Sequence, residues 1–406
     1  MKSAERVEIR ALSLALTVVF LSCSENEVNH PAPPWSPSPP DKAENVSPET
    51  ELRWKCYDPD GPVLTYDVYF GTTATPPLAK RGVSENKYSP GFLDNGTKYY
   101  WKVTAFDDQG HSTEGPVWCF TTKGPGVFIG KWGSFGYGDG QFNSPWGVAA
   151  GFNKIYIADT DNNRIQYFTV TGSFLGKWGS GGSGDGQFDT PDNAAVAPNS
   201  NIYVADSGNS RVQYFTSDGS FLGKWGSYGE GNGQFHRPNG IAVASNGYVY
   251  VTDNGNCRVQ YFTAYGLFLG KWGSSGEGDG EFSDYVEDIA IGPSGNVYVA
   301  DTGNDRIQYF TSTGGFIGKW GASGPDNGQF DRPVGVAATP TGNVLVTDAG
   351  NGRVQYFTST GSFLGKWGSP GSGNGQFGGP AGIAVESSTG YIYVADLDNQ
   401  RIQYFK

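Results

Sequence analysis

Residues 127 to 406 repeat one unit of about 47 residues six times, and a fixed period of that size restricts a chain to a propeller, a solenoid or an array. The tetrapeptide Gly-Lys-Trp-Gly recurs at Lys131, Lys177, Lys224, Lys271, Lys319 and Lys366, at intervals of 46, 47, 47, 48 and 47 residues. Each is followed by Arg-(Ile/Val)-Gln-Tyr-Phe, at Arg164, Arg211, Arg258, Arg306, Arg353 and Arg401.

One unit, residues 220 to 266, predicts four short strands. Phe221 to Trp225 is the first, a Gly-rich loop closes on Gly233-Gln-Phe235, and Ile241 to Val243 follows Pro238 and Gly240. Tyr248 to Thr252 leads into Asp253-Asn-Gly-Asn256, and Arg258 to Phe262 ends at a turn. Four antiparallel strands per unit make a propeller blade. Val127 to Gly133 supply an outer strand with no strands before it, and the last copy stops at Phe405 without one. The two fragments are expected to complete one blade, which removes the open edges that an unclosed array would present.

The motif Pro-x-Gly-Ile-Ala-Val, then Tyr-Val-Tyr-Val-x-Asp, then Asn-x-Arg-Val-Gln-Tyr-Phe resembles the NHL repeat, over all six copies. The resemblance implies an all-β, six-bladed propeller closed by strand exchange and used mostly as a binding platform. A few relatives, amidating lyases and lactonase-like enzymes among them, are catalytic.

Ahead of the repeats, residues 41 to 123 alternate β-rich runs with turn clusters: Glu51 to Cys56, Leu64 to Phe70, Lys98 to Ala105 and Val117 to Thr122. Short strands at such spacing predict a small β-sandwich. The runs Leu52-x-Trp54, Tyr66-x-Val68-x-Phe70 and Tyr100-Trp-Lys-Val103 resemble a fibronectin type III domain, with Trp54, Trp101 and Trp118 as core residues. Residues 1 to 23 read as an export signal, a charged start followed by an apolar run too short to span a membrane. Phe20-Leu-Ser-Cys23 resembles a bacterial lipoprotein cleavage box, which makes Cys23 the expected lipidation site. It departs from that pattern at Phe20, where Leu is usual, and at Leu21, where a small residue is. Residues 24 to 40 read as an extended linker, since six of the ten residues from Pro31 to Pro40 are proline.

The net charge is −12, and the repeats alone carry 16 Lys and Arg against 24 Asp and Glu. A nucleic-acid partner is not expected, because phosphate binding draws on a basic surface. Membrane contact is expected only through the lipid anchor. Cys56 and Cys119 could pair in an exported domain, although spacing alone does not show it. Cys257 fills a slot taken by Asn163, Ser210, Asp305, Gly352 and Gln400 in the other copies and reads as a passive surface residue.

Residues repeated six times are poor candidates for a unique site. Asp159, Asp206, Asp253, Asp301, Asp348 and Asp396 each precede an Asn and an Arg, as turn residues paired with a guanidinium would. The repeated tryptophans read as packing between blades. Of three histidines only His236 lies in the repeats, so a histidine-ligated metal site is not expected there, nor is a nucleophile elbow present. An all-oxygen calcium site stays open, so calcium is the one cofactor considered.

The copies disagree where the chain leads into the Pro-x-Gly strand. Residues Trp146, Asp192, Asn193, His236, Arg237, Asn239, Tyr285, Glu287, Asp288 and Arg332 break the repeat there and are the candidate ligand site at the channel mouth. The expected function is non-catalytic recognition of a protein or glycan by a monomeric, exported, surface-anchored propeller. The alternative is a calcium-dependent hydrolase or lyase working in the channel.

Overall fold

The computed structural model describes residues 30–59, 61, 64–91, 93 and 96–406; Cys23 and the export signal lie outside them. Contacts divide the chain into two compact units, the larger holding Lys42–Thr50, Pro90–Tyr99 and Cys119–Lys406.

The repeats form six four-stranded sheets. Sheet 1 runs Pro145–Gly151, Lys154–Asp159, Arg164–Thr169 and Phe174–Trp178, and all its pairings are antiparallel. Sheets 2 to 5 repeat this order from Pro191, Pro238, Val286 and Pro333. Sheet 6 is assembled from both ends of the region: Pro380–Glu386, Tyr391–Asp396 and Arg401–Phe405 receive Phe128–Trp132 as their outer strand. Phe128 stands opposite Phe405 and Trp132 opposite Ile402, so the predicted strand exchange is present. The first strands of successive sheets are neighbours, and that of sheet 6 adjoins that of sheet 1. This closed cycle of sheets is the architecture of a propeller.

Every interface between sheets carries its own buried cluster, which is why the period of the sequence shows so plainly. Between sheets 1 and 2, Tyr156, Ala158 and Ile165 meet Phe188, Val204 and Phe215; at the closing seam, Phe142, Ile157 and Phe168 meet Tyr393, Ile402 and Tyr404. The repeated tryptophans do pack between sheets. Trp178 of sheet 1 lies 5.6 Å from Phe215 of sheet 2, and Trp132 of sheet 6 lies 5.6 Å from Phe168 of sheet 1. Gly172 and Gly219 turn with positive φ against Trp132 and Trp178, where a Cβ would come within 2.6 Å of the indole. Tyrosine hydroxyls add one hydrogen bond at five of the six seams, such as Tyr156 to the Ser217 carbonyl (3.1 Å) and Tyr393 to the Val170 carbonyl (2.8 Å); sheet 5 has Leu345 at that position.

The repeated Asp, Asn, Arg and Gln form one network in each sheet. In sheet 3 the Arg258 Nε donates to Asp253 (2.7 Å), and its two terminal nitrogens donate to the carbonyls of Glu230, Gly231 and Gln234. Gln260 donates to Gln234 and Asp253 and accepts from the Gly233 amide. The Gly-rich loop is therefore tied down by side chains, and the buried aspartates are committed to structure.

Two expectations change. Cys257 is buried, not a surface residue: it occupies a left-handed turn position (φ 49°) and its Sγ lies 3.4 Å from Asp284 Oδ1. The slot varies in sequence because left-handed geometry, rather than one side chain, is what Asn163, Ser210, Asp305, Gly352 and Gln400 share there. The inner strand of sheet 3 also starts earlier than the apolar run, at Pro238.

In the smaller unit, Thr65–Gly71 pairs with Leu78–Val83 and with Lys98–Phe106, and a second sheet orders Trp35–Ser38, Leu52–Lys55 and Lys87–Tyr88. Trp35–Ser38 belongs to the stretch read as a spacer; it sits at a sheet edge, where prolines lacking an N–H are tolerated. Trp54, Trp101 and Trp118 are buried together, with Trp101 and Trp118 rings 4.7 Å apart. Cys56 and Cys119 are not joined to each other by a disulfide.

Candidate functional site

The first strand of each sheet opens with a three-residue step, written Pro-x-Gly in sheets 1, 3, 5 and 6. Gly147, Gly240, Gly335 and Gly382 are needed because the neighbouring inner strand is too close for a side chain. A Cβ on Gly240 would stand 2.6 Å from the Glu287 carbonyl, and one on Gly382 would stand 2.6 Å from that of Trp146. Sheets 2 and 4 carry Asn193 and Asp288 at this step. Those side chains are buried and reach each other past sheet 3: Asn193 Nδ2 donates to Asp288 Oδ1 (2.8 Å), while Asp288 Oδ2 accepts the Val336 amide of sheet 5 (3.0 Å). Both candidates are thus spent on holding the channel together and do not line the cavity above it.

That cavity, of about 490 Å³, is lined by residues of five of the six sheets, which only the axis of the ring can gather. Its wall includes Trp146, Asp192, His236, Arg237, Asn239, Tyr285 and Glu287, seven of the ten residues singled out by broken repetition. Arg332 lies outside the lining, is exposed, and has its amide on Asp305 (2.8 Å); its charge still acts on Glu287. Sequence reasoning missed Thr160 and Asp161, which belong to the turn after the second strand; the signal there was Asp161, which stands where four of the six copies have glycine.

Local geometry fixes the lead-in residues. Ser144, Thr190, Arg237 and Arg332, each just before the proline, are in left-handed conformation, between φ 46° and 58°. The Thr160 and Thr302 hydroxyls donate to the carbonyls of Pro191 (2.9 Å) and Pro333 (2.7 Å) of the next sheet, and Ser207 does the same to Pro238. At Thr190, Arg237 and Arg332 the strain of a left-handed non-glycine residue is offset by these bonds from the neighbouring sheet.

The acids of the mouth are held away from their ordinary ionisation. Burial pushes Asp192 up to about 6, with the Ser207 hydroxyl and the Arg237 charge opposing it. Burial and the charges of Asp192 and Asp288 push Glu287 up to about 7, against Arg237 and Arg332. Asp288 is pushed to about 7 by burial, against hydrogen bonds from Val336, Ile289 and Asn193. Asn239 donates through Nδ2 to Glu287, while its Oδ1 has no hydrogen-bond partner among the described residues although the residue is only 7% exposed. Among the described residues no group of three His, Cys, Asp or Glu side chains is gathered so as to hold a metal ion.

The fold defines the protein as a β-propeller. Five of its units, residues 142–168, 235–262, 284–310, 330–357 and 377–405, match the NHL repeat family, which supports an NHL-repeat propeller. The copy these segments pass over is that of sheet 2, which carries Asp192 and Asn193. No curated protein sequence matches the chain. Among solved structures, a Bacteroides thetaiotaomicron protein of unknown function is similar over 94% of this chain and 98% of its own, at TM-score 0.62 and 16% identity. An auxiliary nutrient binding protein from Bacteroides ovatus matches over 90% and 97%, at 0.52 and 14%. A gluconolactonase from Xanthomonas campestris matches over 65% and 86%, at 0.48 and 16%. At these identities the likeness is one of fold.

Proposed function

We propose that this chain is an exported, lipid-anchored recognition protein without catalytic activity. In this reading a six-bladed NHL propeller presents its channel mouth to a protein or glycan, and a fibronectin type III-like domain stands between propeller and anchor. The convergence of seven repeat-breaking residues on one cavity carries the proposal, because drift in solvated loops has no reason to collect on one wall. Trp146, Tyr285 and Arg237 are of the types that dominate binding energy. A nutrient-binding protein among the similar folds fits such a role.

The test is a crosslinking capture with the full chain as bait, followed by binding measurements on the captured ligand. Trp146→Ala, Arg237→Ala and Glu287→Ala should each weaken binding at least about tenfold, as anchors in a buried patch do, while Lys177→Ala and Thr311→Ala should not. Equal binding by all five variants overturns the site. Anchoring is tested separately: mass spectrometry of natively expressed protein should find acylated Cys23 as the first residue, and an unmodified Cys23 overturns it.

A second reading, a hydrolase or lyase in the channel, draws on one observation. Asp192 and Glu287 carry carboxyls raised toward neutrality, as a general acid requires. Calcium-dependent turnover of a lactone panel, lost in Glu287→Gln, would favour it over recognition.

A further inference from the structure

At the middle position of the three-residue step, successive sheets carry Trp146, Asp192, Asn239, Glu287, Val334 and Ala381. The ring is therefore divided. Sheets 2 to 4 offer hydrogen-bond acceptors side by side, and Val334 and Ala381 share one apolar cluster with Trp146. The acceptor half is incomplete: Asn239 belongs to the cavity wall and its buried Oδ1 has no hydrogen-bond partner among the described residues, so a ligand that seats against it is favoured by offering donors.

Charge adds a second demand. Around Asp192 stand Asp161, Asp206 and Arg237; around Glu287 stand Asp192, Asp288, Arg237 and Arg332; Asp284, Tyr285 and His236 complete the ionisable wall. Carboxyl groups outnumber guanidinium groups, so a positive donor is favoured over a neutral one. The acids are spread along a cavity of organic size rather than gathered as a metal-holding set. A half-buried indole beside planar acceptors suits a pyranose, whose C–H face lies on the ring while its polar substituents point away.

Accepting the mouth as the ligand site, we propose that it binds an amino sugar, a glycan residue with a free ammonium group. The ammonium N–H groups are donated to Asn239 Oδ1 and to the Asp192 and Glu287 carboxylates, and the sugar face packs on Trp146. Both carboxyls are raised in the free protein, and a bound cation favours their ionised forms, so binding releases protons and tightens as pH rises.

The experiment is titration calorimetry of the full chain with glucosamine hydrochloride, glucose, N-acetylglucosamine, Nα-acetyl-lysine methylamide and calcium chloride, in two buffers of different ionisation enthalpy. Glucosamine should bind at least about tenfold more tightly than the two neutral sugars, with proton release, and its affinity should rise from about pH 5 to pH 7. The double variant Asp192→Asn/Glu287→Gln, of near-identical shape, should lose both the preference and the pH dependence, and Lys177→Gln, outside the cavity, should keep them. Equal affinity for charged and neutral sugars, binding only of the lysine derivative or of calcium, or no binding at all overturns the amino-sugar assignment. If neutral and charged sugars bind alike and Trp146→Ala abolishes both, the mouth remains the ligand site and only the ammonium requirement falls. If Trp146→Ala leaves sugar binding intact, the site itself is lost.

Discussion

Asn193 and Asp288 stand where four of the six sheets have glycine, and they join across the channel by a 2.8 Å hydrogen bond that passes sheet 3 altogether. Ordinary contacts in a propeller link a sheet to its two neighbours. This bond links sheet 2 to sheet 4, and the Val336 amide extends it to sheet 5.

Replacing either partner strands the other. Asn193→Gly or Asp288→Gly should each cost about 1–3 kcal/mol, the penalty of leaving a buried polar group without its partner. The double variant, which gives sheets 2 and 4 the step used elsewhere, should cost less than the sum of the two. Urea unfolding of the four proteins measures the coupling, and strict additivity would show that the bond contributes nothing.

The same neighbourhood sets a pH dependence. Asp192, Glu287 and Asp288 have folded-state values near 6, 7 and 7, above those of an unfolded chain. Between about pH 4 and pH 7 the unfolded chain gives up protons that the folded chain keeps, so these groups make stability fall as pH rises and level off above that window. The comparison is with Asp192→Asn/Glu287→Gln/Asp288→Asn, which should lose this component and gain about 1 kcal/mol or more relative to wild type on going from the acid to the neutral end. Parallel stability curves for the two proteins would contradict the assignment.

A third prediction concerns the repeated network. Arg258 is buried, ion-paired to Asp253 and bonded to three loop carbonyls, so Arg258→Met leaves a buried carboxylate without its charged partner and removes three of the bonds that tie the loop from Glu230 to Gln234. The loss should be about 3–5 kcal/mol, as for other broken buried pairs. Thermal unfolding should show it, and amide exchange should quicken at Gly231 and Gly233. Lysine at this position should restore little, since an ammonium cannot reproduce the planar fork.

Much of this was legible in the sequence because each repeat solves the same packing problem. The tryptophans, the Asp–Arg pairs and the exchanged strand follow from residues that recur at one spacing. What could not be read was distance across the ring. Asn193 and Asp288 looked like two more departures at the mouth, and nothing in a linear chain shows that residues 95 positions apart share a hydrogen bond. Cys257 was misplaced for a related reason, since a variable slot resembles surface when its shared property is a backbone angle. In the smaller unit, Leu78–Val83 is exposed along almost its whole length and lacks the apolar alternation that marks a strand.

The last prediction tests closure. Phe128–Trp132 is the outer strand of sheet 6 and gives Trp132 to the seam with sheet 1, where the indole meets Phe168, Tyr393 and Tyr404. Deleting residues 127 to 133 removes the pairing partner of Arg401–Phe405 and a large aromatic from the seam cluster. Loss of Trp132 alone should cost about 3–5 kcal/mol, the range for truncating a large aromatic in a core. The bare strand edge should in addition favour association between copies. Trp132→Ala in the full chain separates the two effects: it should lower the unfolding temperature while leaving the sedimentation profile as in wild type, whereas the deletion should lower it further and shift that profile toward larger species. A deletion variant that melts and sediments like wild type would mean that the ring holds without its exchanged strand.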